Sequence, residues 1–216
     1  MDNSTNKEQK RTFSLETIKR LSMYLRNLKK IHEQGVVLIS SSDLASNVNV
    51  TPDLLRKDLS YFGGFGKRGV GYNVDSLINH LESILGVNKD WEIALVGVGR
   101  LGGALLSYPG FGREHLRIAV AFDNDPVKVG TIQNGVPIEN IQSFSDIIKE
   151  RKIKIAMLCV HAQIAQQTAD IMISAGIKAI LNFAPVNIDI SGDVHISRVD
   201  MFSKLESLIF CISHDD

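Results

Sequence analysis

One stretch near the middle of the chain constrains the fold more than any other. Residues 92–96 read EIALV, an apolar run of strand length, and pass without a linker into Gly97-Val98-Gly99-Arg100-Leu101-Gly102 and then Gly103, Ala104, Leu105 and Leu106. A lone G-x-G-x-x-G is weak. With a strand before it and a helical run after it, it predicts the first βα turn of a doubly wound sheet. The glycines permit the tight turn and close backbone approach, so a pyrophosphate can meet the amides and positive end of the helix. Gly97, Val98, Gly99, Arg100, Leu101 and Gly102 are therefore the candidate dinucleotide loop. Residues 117–122 predict the next strand, which ends at Asp123. A carboxylate there can accept both ribose hydroxyls and would repel a 2′-phosphate, which favours NAD(H) over NADP(H).

The chain continues in the same alternation. Residues 143–151 and 164–175 predict helices, and 153–160, 180–184 and 194–199 predict strands, as a parallel Rossmann-type sheet requires. Residues 200–212 predict a last helix whose Met201, Phe202, Leu205, Leu208, Ile209 and Phe210 spread around much of its circumference. One contact face would not bury that set, so an intersubunit or interdomain berth is expected.

Ahead of the sheet the pattern is helical. Apolar residues from Leu15 to Ile31 recur at steps of three and four, and Gly35 supplies a stop. Residues 36–39 suit a strand, and the serines at 40–42 can cap a second helix. Thr51 and Pro52 open a third, TPDLLRKDLSYF, with Leu54, Leu55, Leu59 and Phe62 as its expected core face. Arg56, Lys57, Ser60 and Tyr61 form its outward set: cations for phosphates and guanine acceptors beside hydroxyl donors. GGFGKRGVGY follows, a glycine hairpin expected to carry Lys67 and Arg68 at its tip as a wing. A helix over 74–85 closes the module at Gly86.

Net charge is zero, with 24 Lys+Arg against 24 Asp+Glu, which argues at first against a nucleic-acid binder. The charge is divided, however. Residues 1–85 carry 12 cations and 9 anions, net +3, and residues 86–216 carry 12 and 15, net −3. The expected domains are 1–86, a winged helix-turn-helix; 87–199, a Rossmann-type sheet; and 200–216, a terminal helix. Cys159 and Cys211 read as buried thiols, and the histidines lack metal-ligand spacing, so no metal is expected. The polar N-terminus and the lack of a spanning apolar run point to a cytoplasmic protein with no membrane contact.

A dehydrogenase needs a substrate domain and an acid or base beside the nicotinamide. The Rossmann pattern consumes nearly all of 90–199 and leaves only the basic helical module. His161 is the best catalytic candidate, but a residue that closes the nucleotide site or starts the next helix is the simpler reading. The alternatives are an NAD-dependent dehydrogenase or reductase with an atypical helical domain, and a regulator sensing coenzyme A through the same loop.

The segments RKDLSYFGGFGKRGVGY (56–72), LVGVGRLGGALLSYPGF (95–111), AFDNDPVKVG (121–130) and AGIKAILNFAPV (175–186) together resemble the Rex family of bacterial redox-sensing repressors. The resemblance implies a winged-helix domain, a Rossmann domain binding NAD(H), and a homodimer that exchanges its C-terminal helices. It also implies a repressor that binds near-palindromic double-stranded operator DNA when NADH is low, is released by NADH, and controls fermentation or respiration genes. By that resemblance Tyr108 lies near the nicotinamide, Arg26, Tyr108 and Asp200 form an interdomain switch, and Lys57, Lys67 and Arg68 contact DNA. His161 stands where the family usually has proline.

Overall fold

Ser14 opens the first helix by accepting the Thr17 amide on its hydroxyl at 3.1 Å, which satisfies one of the donors left over at a helix start. The computed structural model describes residues 14–66, 69–111, 115–190 and 192–214. Contacts divide the chain into two compact units, Met1–Lys89 and Asp90–Asp216.

In the first unit, α1 (Leu15–Glu33) buries Leu21, Tyr24, Leu25, Leu28 and Ile31, and Gly35 turns the chain at φ +79°. β1 (Leu38–Ile39) leads to α2 (Ser41–Ser46), capped by Ser40, and α3 (Pro52–Ser60) starts at Thr51, whose hydroxyl accepts the Leu54 amide. α4 (Val74–Leu85) ends at Gly86 in the left-handed region. The core-facing set of α3 differs from expectation: Leu55, Asp58 and Leu59 are buried, and Leu54 and Phe62 are only half-buried. Asp58 can sit inside because Arg20 and Tyr24 of α1 supply donors for both its oxygens.

The expected glycine hairpin does not pair with itself among the described residues. Its return arm forms β2 (Tyr72–Asn73), which runs antiparallel to β1. The arm passes so close to β1 that a methyl on Gly71 would lie 2.4 Å from the Ile39 carbonyl oxygen, at φ +91°. Lys67 and Arg68, the expected tip, lie outside the described residues.

The second unit holds a seven-stranded sheet in the order β5 (Ile132–Gln133), β6 (Val136–Asn140), β4 (Leu116–Asp123), β3 (Trp91–Val96), β7 (Ile155–Leu158), β8 (Ala179–Asn182) and β9 (His195–Arg198). All pairs are parallel except β5–β6, so the sheet expected to be parallel carries one antiparallel edge. Without that edge, the strands numbered from β3 have the 3-2-1-4-5-6 Rossmann order, and the side on which the chain adds successive strands switches between β3 and β7. The reason for the edge is local: Asn134 and Gly135, both at positive φ, make the two-residue turn that closes a hairpin.

Helices α5 (Arg100–Leu106), α6 (Phe144–Arg151) and α7 (Ala162–Ser174) supply the crossovers. Alternate side chains of β3 separate two cores, Ala94 and Val96 joining Phe122, Phe144 and Met172, and Ile93 and Leu95 joining Leu106 and Ile118. No residue of α8 (Met201–Ser213) is buried. Of the two thiols expected to be buried, Cys211 is exposed because it lies on that uncovered helix, and Cys159 is half-buried, which still pushes its thiol up to about 12.

Candidate nucleotide site and DNA-facing helix

The three fingerprint glycines do different work. Gly97 sits at φ +97° and donates its amide to the Phe122 carbonyl at 2.8 Å, and a methyl there would lie 2.6 Å from the Cys159 carbonyl oxygen. A methyl on Gly102 would come within 2.0 Å of the Gly97 carbonyl oxygen, so α5 packs on the turn only through a glycine. Gly99 caps α5, and a methyl there would meet nothing within 4 Å. Two glycines are thus required by the fold. The third leaves open space beside the helix start, where an anion can approach the amides. Val98 is buried, and Arg100 and Leu101 face solvent.

Asp123 ends β4 beside this loop. Its Oδ2 accepts the Val98 amide at 2.8 Å, and its Oδ1 accepts the amides of Asn124 at 2.8 Å and Asp125 at 2.9 Å. Lys128 donates to Oδ2 at 3.3 Å and lies 3.4 Å from Asp125. Burial alone would raise the Asp123 pKa, but the Asp125 and Val98 amides and the Lys128 ammonium outweigh it and hold the carboxyl below the usual aspartate range. Asp123 is therefore an anion at neutral pH. Next to it lies a cleft of about 270 Å3 with apolar walls from Val160, Ile164 and Ile171 and a polar rim from Gly97, Asp123 and Asn124. Apolar walls with a carboxylate rim suit a nucleoside. Lys128 and these wall residues were missed by sequence reasoning. Asp125-Pro126, a turn signal three residues before Lys128, was the available cue for its return toward Asp123.

His161 is the N-cap residue of α7, exposed and without a side-chain cap bond, directly after Val160 of the cleft. Tyr108 is exposed on the turn after α5 and meets Phe111 edge-on at 5.7 Å. Gly110 makes room for that ring, since a methyl on it would lie 2.2 Å from Tyr108 Cε1. Asp200 caps α8 by accepting the Ser203 amide and pairs with Arg198, and these two partners hold its pKa down. Arg26 is exposed in the first unit and donates to Ser22 at 3.0 Å.

On α3, Lys57 and Ser60 are exposed, with the Ser60 hydroxyl donating to the Lys57 carbonyl, and Tyr61 follows at the C-cap. Arg56 is held at the front of the helix, donating to the Ser41 hydroxyl at 2.7 Å and to Asp53 at 2.5 Å. Its guanidinium faces a groove of about 740 Å3 lined by Ser40, Ser60, Gly64 and Tyr72. Asp58 points the other way. Arg20 binds it through two nitrogens at 2.6 and 2.7 Å, and Tyr24 donates its hydroxyl at 2.8 Å. The hydrogen bond to Asp58 raises the Arg20 pKa, and burial followed by the same carboxylate raises that of Tyr24. Of the two aspartates on α3, Asp58 is therefore withdrawn into the core and neutralised there, while Asp53 pairs with Arg56 at the surface.

Two family models match, a "CoA binding domain" over residues 88–186 and a "Putative DNA-binding protein N-terminus" over residues 13–60. A redox-sensing transcriptional repressor Rex from Desulfitobacterium hafniense is 47% identical over 90% of this chain and 92% of its own length. The chain belongs to the Rex family of redox-sensing transcriptional repressors. A second Rex repressor, from Chloroflexus aurantiacus, is 42% identical over 92% of this chain and 93% of its own. Among solved structures, the Rex-family repressor RSP in complex with β-NAD+ and operator DNA superposes with a TM-score of 0.89 at 35% identity, covering 94% of each chain. RSP in complex with β-NADH superposes at 0.85 with 33% identity, over 94% of this chain and 95% of that one. The likeness to the Rex family thus spans both units.

Proposed function

We infer that the chain is a redox-sensing transcriptional repressor, a regulator and not an enzyme, that binds operator DNA when NADH is low and releases it when NADH binds. The observation that carries this reading is one chain joining a capped cationic helix to a fingerprint turn closed by an ionised Asp123. The ligand is NAD(H). Coenzyme A bears a phosphate on its adenosine ribose, which an anionic Asp123 at the cleft rim disfavours. Gly97, Val98, Gly99, Arg100, Leu101 and Gly102 hold the pyrophosphate, Asp123 the ribose, and Tyr108 stands beside the nicotinamide. Arg56, Lys57, Ser60, Tyr61, Lys67 and Arg68 meet the DNA, and Arg26, Tyr108 and Asp200 link the two functions. Such a regulator acts in the cytoplasm.

The active species is a homodimer in which α8 crosses to the partner. Met201, Phe202, Leu205, Leu208, Ile209, Phe210 and Ile212 are 55–74% exposed in one chain. Covering each fully contributes roughly 1.5–3 kcal/mol, a set too large to leave in water. Two recognition helices related by the dimer axis read a near-palindrome, and a change in their separation spoils the register.

The oxidised nicotinamide is cationic and the reduced ring neutral, so an apolar pocket favours NADH by the desolvation cost of the charge. A ligand that prefers the DNA-incompetent form about 100-fold supplies about 2.7 kcal/mol of bias, enough to vacate an operator. The test is operator binding while NADH is titrated at fixed NAD+. Binding should fall as NADH rises, and operator occupancy that stays constant at every NADH level would overturn the reading.

A further inference from the structure

The turn that carries Tyr108 is held from outside its own segment. α5 is seven residues long and ends at Ser107, whose hydroxyl donates back to the Gly103 carbonyl at 3.0 Å. Tyr108 follows directly, its amide on the Leu105 carbonyl at 3.1 Å, so the last turn of α5 sets where the ring begins. A helix this short frays readily at its end, where carbonyls lack helical partners. Two side chains of the β5–β6 hairpin reach that end. Asn134 donates from Nδ2 to the Ser107 hydroxyl at 2.7 Å, 27 positions away in sequence, and Gln133 Nε2 approaches the Gly103 carbonyl at 3.4 Å. The approach is close, since a methyl on Gly103 would lie 3.3 Å from Gln133 Nε2. Asn134 stands at φ +52° in a two-residue turn that glycine would fill as well. Its amide therefore does something that the turn itself does not require.

We propose that Asn134 is a positioning residue for the nicotinamide end of the site: through Ser107 it locks the last turn of α5 and so sets where Tyr108 stands. The proposal rests on the reading of Tyr108 as the residue beside the nicotinamide. The ring is 60% exposed and meets Phe111, which packs against the same apolar cluster as Leu106 and Val136, so α5, the turn after it and the hairpin share one support. An exposed side-chain hydrogen bond contributes modestly, and its loss shifts the ring among positions without unfolding the unit. Asp123 and the amides it accepts share none of these bonds. The loss therefore falls on the nicotinamide end of a dinucleotide and spares the adenosine end.

The experiment measures, by calorimetry on the full-length chain, the affinity for NADH and for ADP-ribose, which lacks the nicotinamide. Asn134→Gly keeps the positive-φ turn and removes only the amide, so NADH affinity should fall about fivefold while ADP-ribose affinity stays within about twofold of wild type. Ser107→Ala should show the same split, and the double variant should lose no more than Ser107→Ala alone, because one bond is removed in both. Ser107→Ala carries the measurement if Asn134→Gly fails to fold. Tyr108→Ala probes the reading beneath and should lower NADH affinity at least as much, again sparing ADP-ribose. NADH affinity kept at wild-type level in Asn134→Gly and Ser107→Ala but lost in Tyr108→Ala overturns the proposal, as does an equal loss of both ligands or an additive loss in the double variant. Tyr108→Ala with unchanged NADH affinity would instead overturn the placement of Tyr108, and the proposal with it.

Discussion

The two units build their sites from opposite materials. In the sheet unit the ligand-facing surface is backbone: a turn whose glycines remove side chains, amides pointing at Asp123, and an open space beside Gly99. In the helical unit the working surface is side chains standing on a helix, and its placement depends on a buried ion pair between α1 and α3. The difference teaches where each site is fragile. A backbone site fails when a Cβ is added, whereas a side-chain surface fails when the anchor behind it is cut.

The fingerprint glycines break the comparison most sharply. Gly102→Val places carbon against the Gly97 carbonyl and should destabilise the sheet unit by several kcal/mol, about 3 or more, with loss of dinucleotide binding. Gly99→Ala meets nothing in the protein, so its thermal midpoint should stay within a few degrees of wild type while NADH affinity falls. If both variants lost stability equally, the division of the glycines into structural and ligand-facing would be wrong.

The anchor comes next in size. Asp58→Ala leaves the Arg20 guanidinium and the Tyr24 hydroxyl without their acceptor and should cost about 3 kcal/mol in the helical unit, read by denaturant unfolding. NADH affinity should be unchanged, because the Asp58 partners Arg20 and Tyr24 both lie in the first unit. The smallest effect is at the surface. Lys57→Ala should leave the unfolding midpoint alone and lower the salt slope of operator binding by about one. An unchanged slope would take Lys57 out of the DNA interface.

The same contrast explains what could be read from the sequence. Glycine spacing and the alternation of apolar strands are local signals, and the loop at 97–102, Asp123 and the strands around them follow from short windows. Thr51-Pro52 marked the start of α3 for the same reason. The pairing of Arg20 with Asp58, 38 positions apart, has no such window, so nothing near Asp58 in the sequence marks it as a core residue. The β5–β6 hairpin is legible in Gln133-Asn134-Gly135-Val136, a two-residue turn signal that the alternation of strands and helices does not by itself call for. The glycine stretch 63–71 suggested a self-paired hairpin, since composition shows where a chain can turn and not which strand receives it.

α8 carries a consequence of another kind. If α8 finds its cover on a second molecule, as proposed above, the folded state is second order in protein and the stability of the repressor rises with its own abundance. Scarce copies would then hold fewer assembled dimers at any given NADH level. The amount of regulator in the cell therefore becomes a variable of the response alongside the coenzyme ratio, set by how fast the protein is made and diluted by growth.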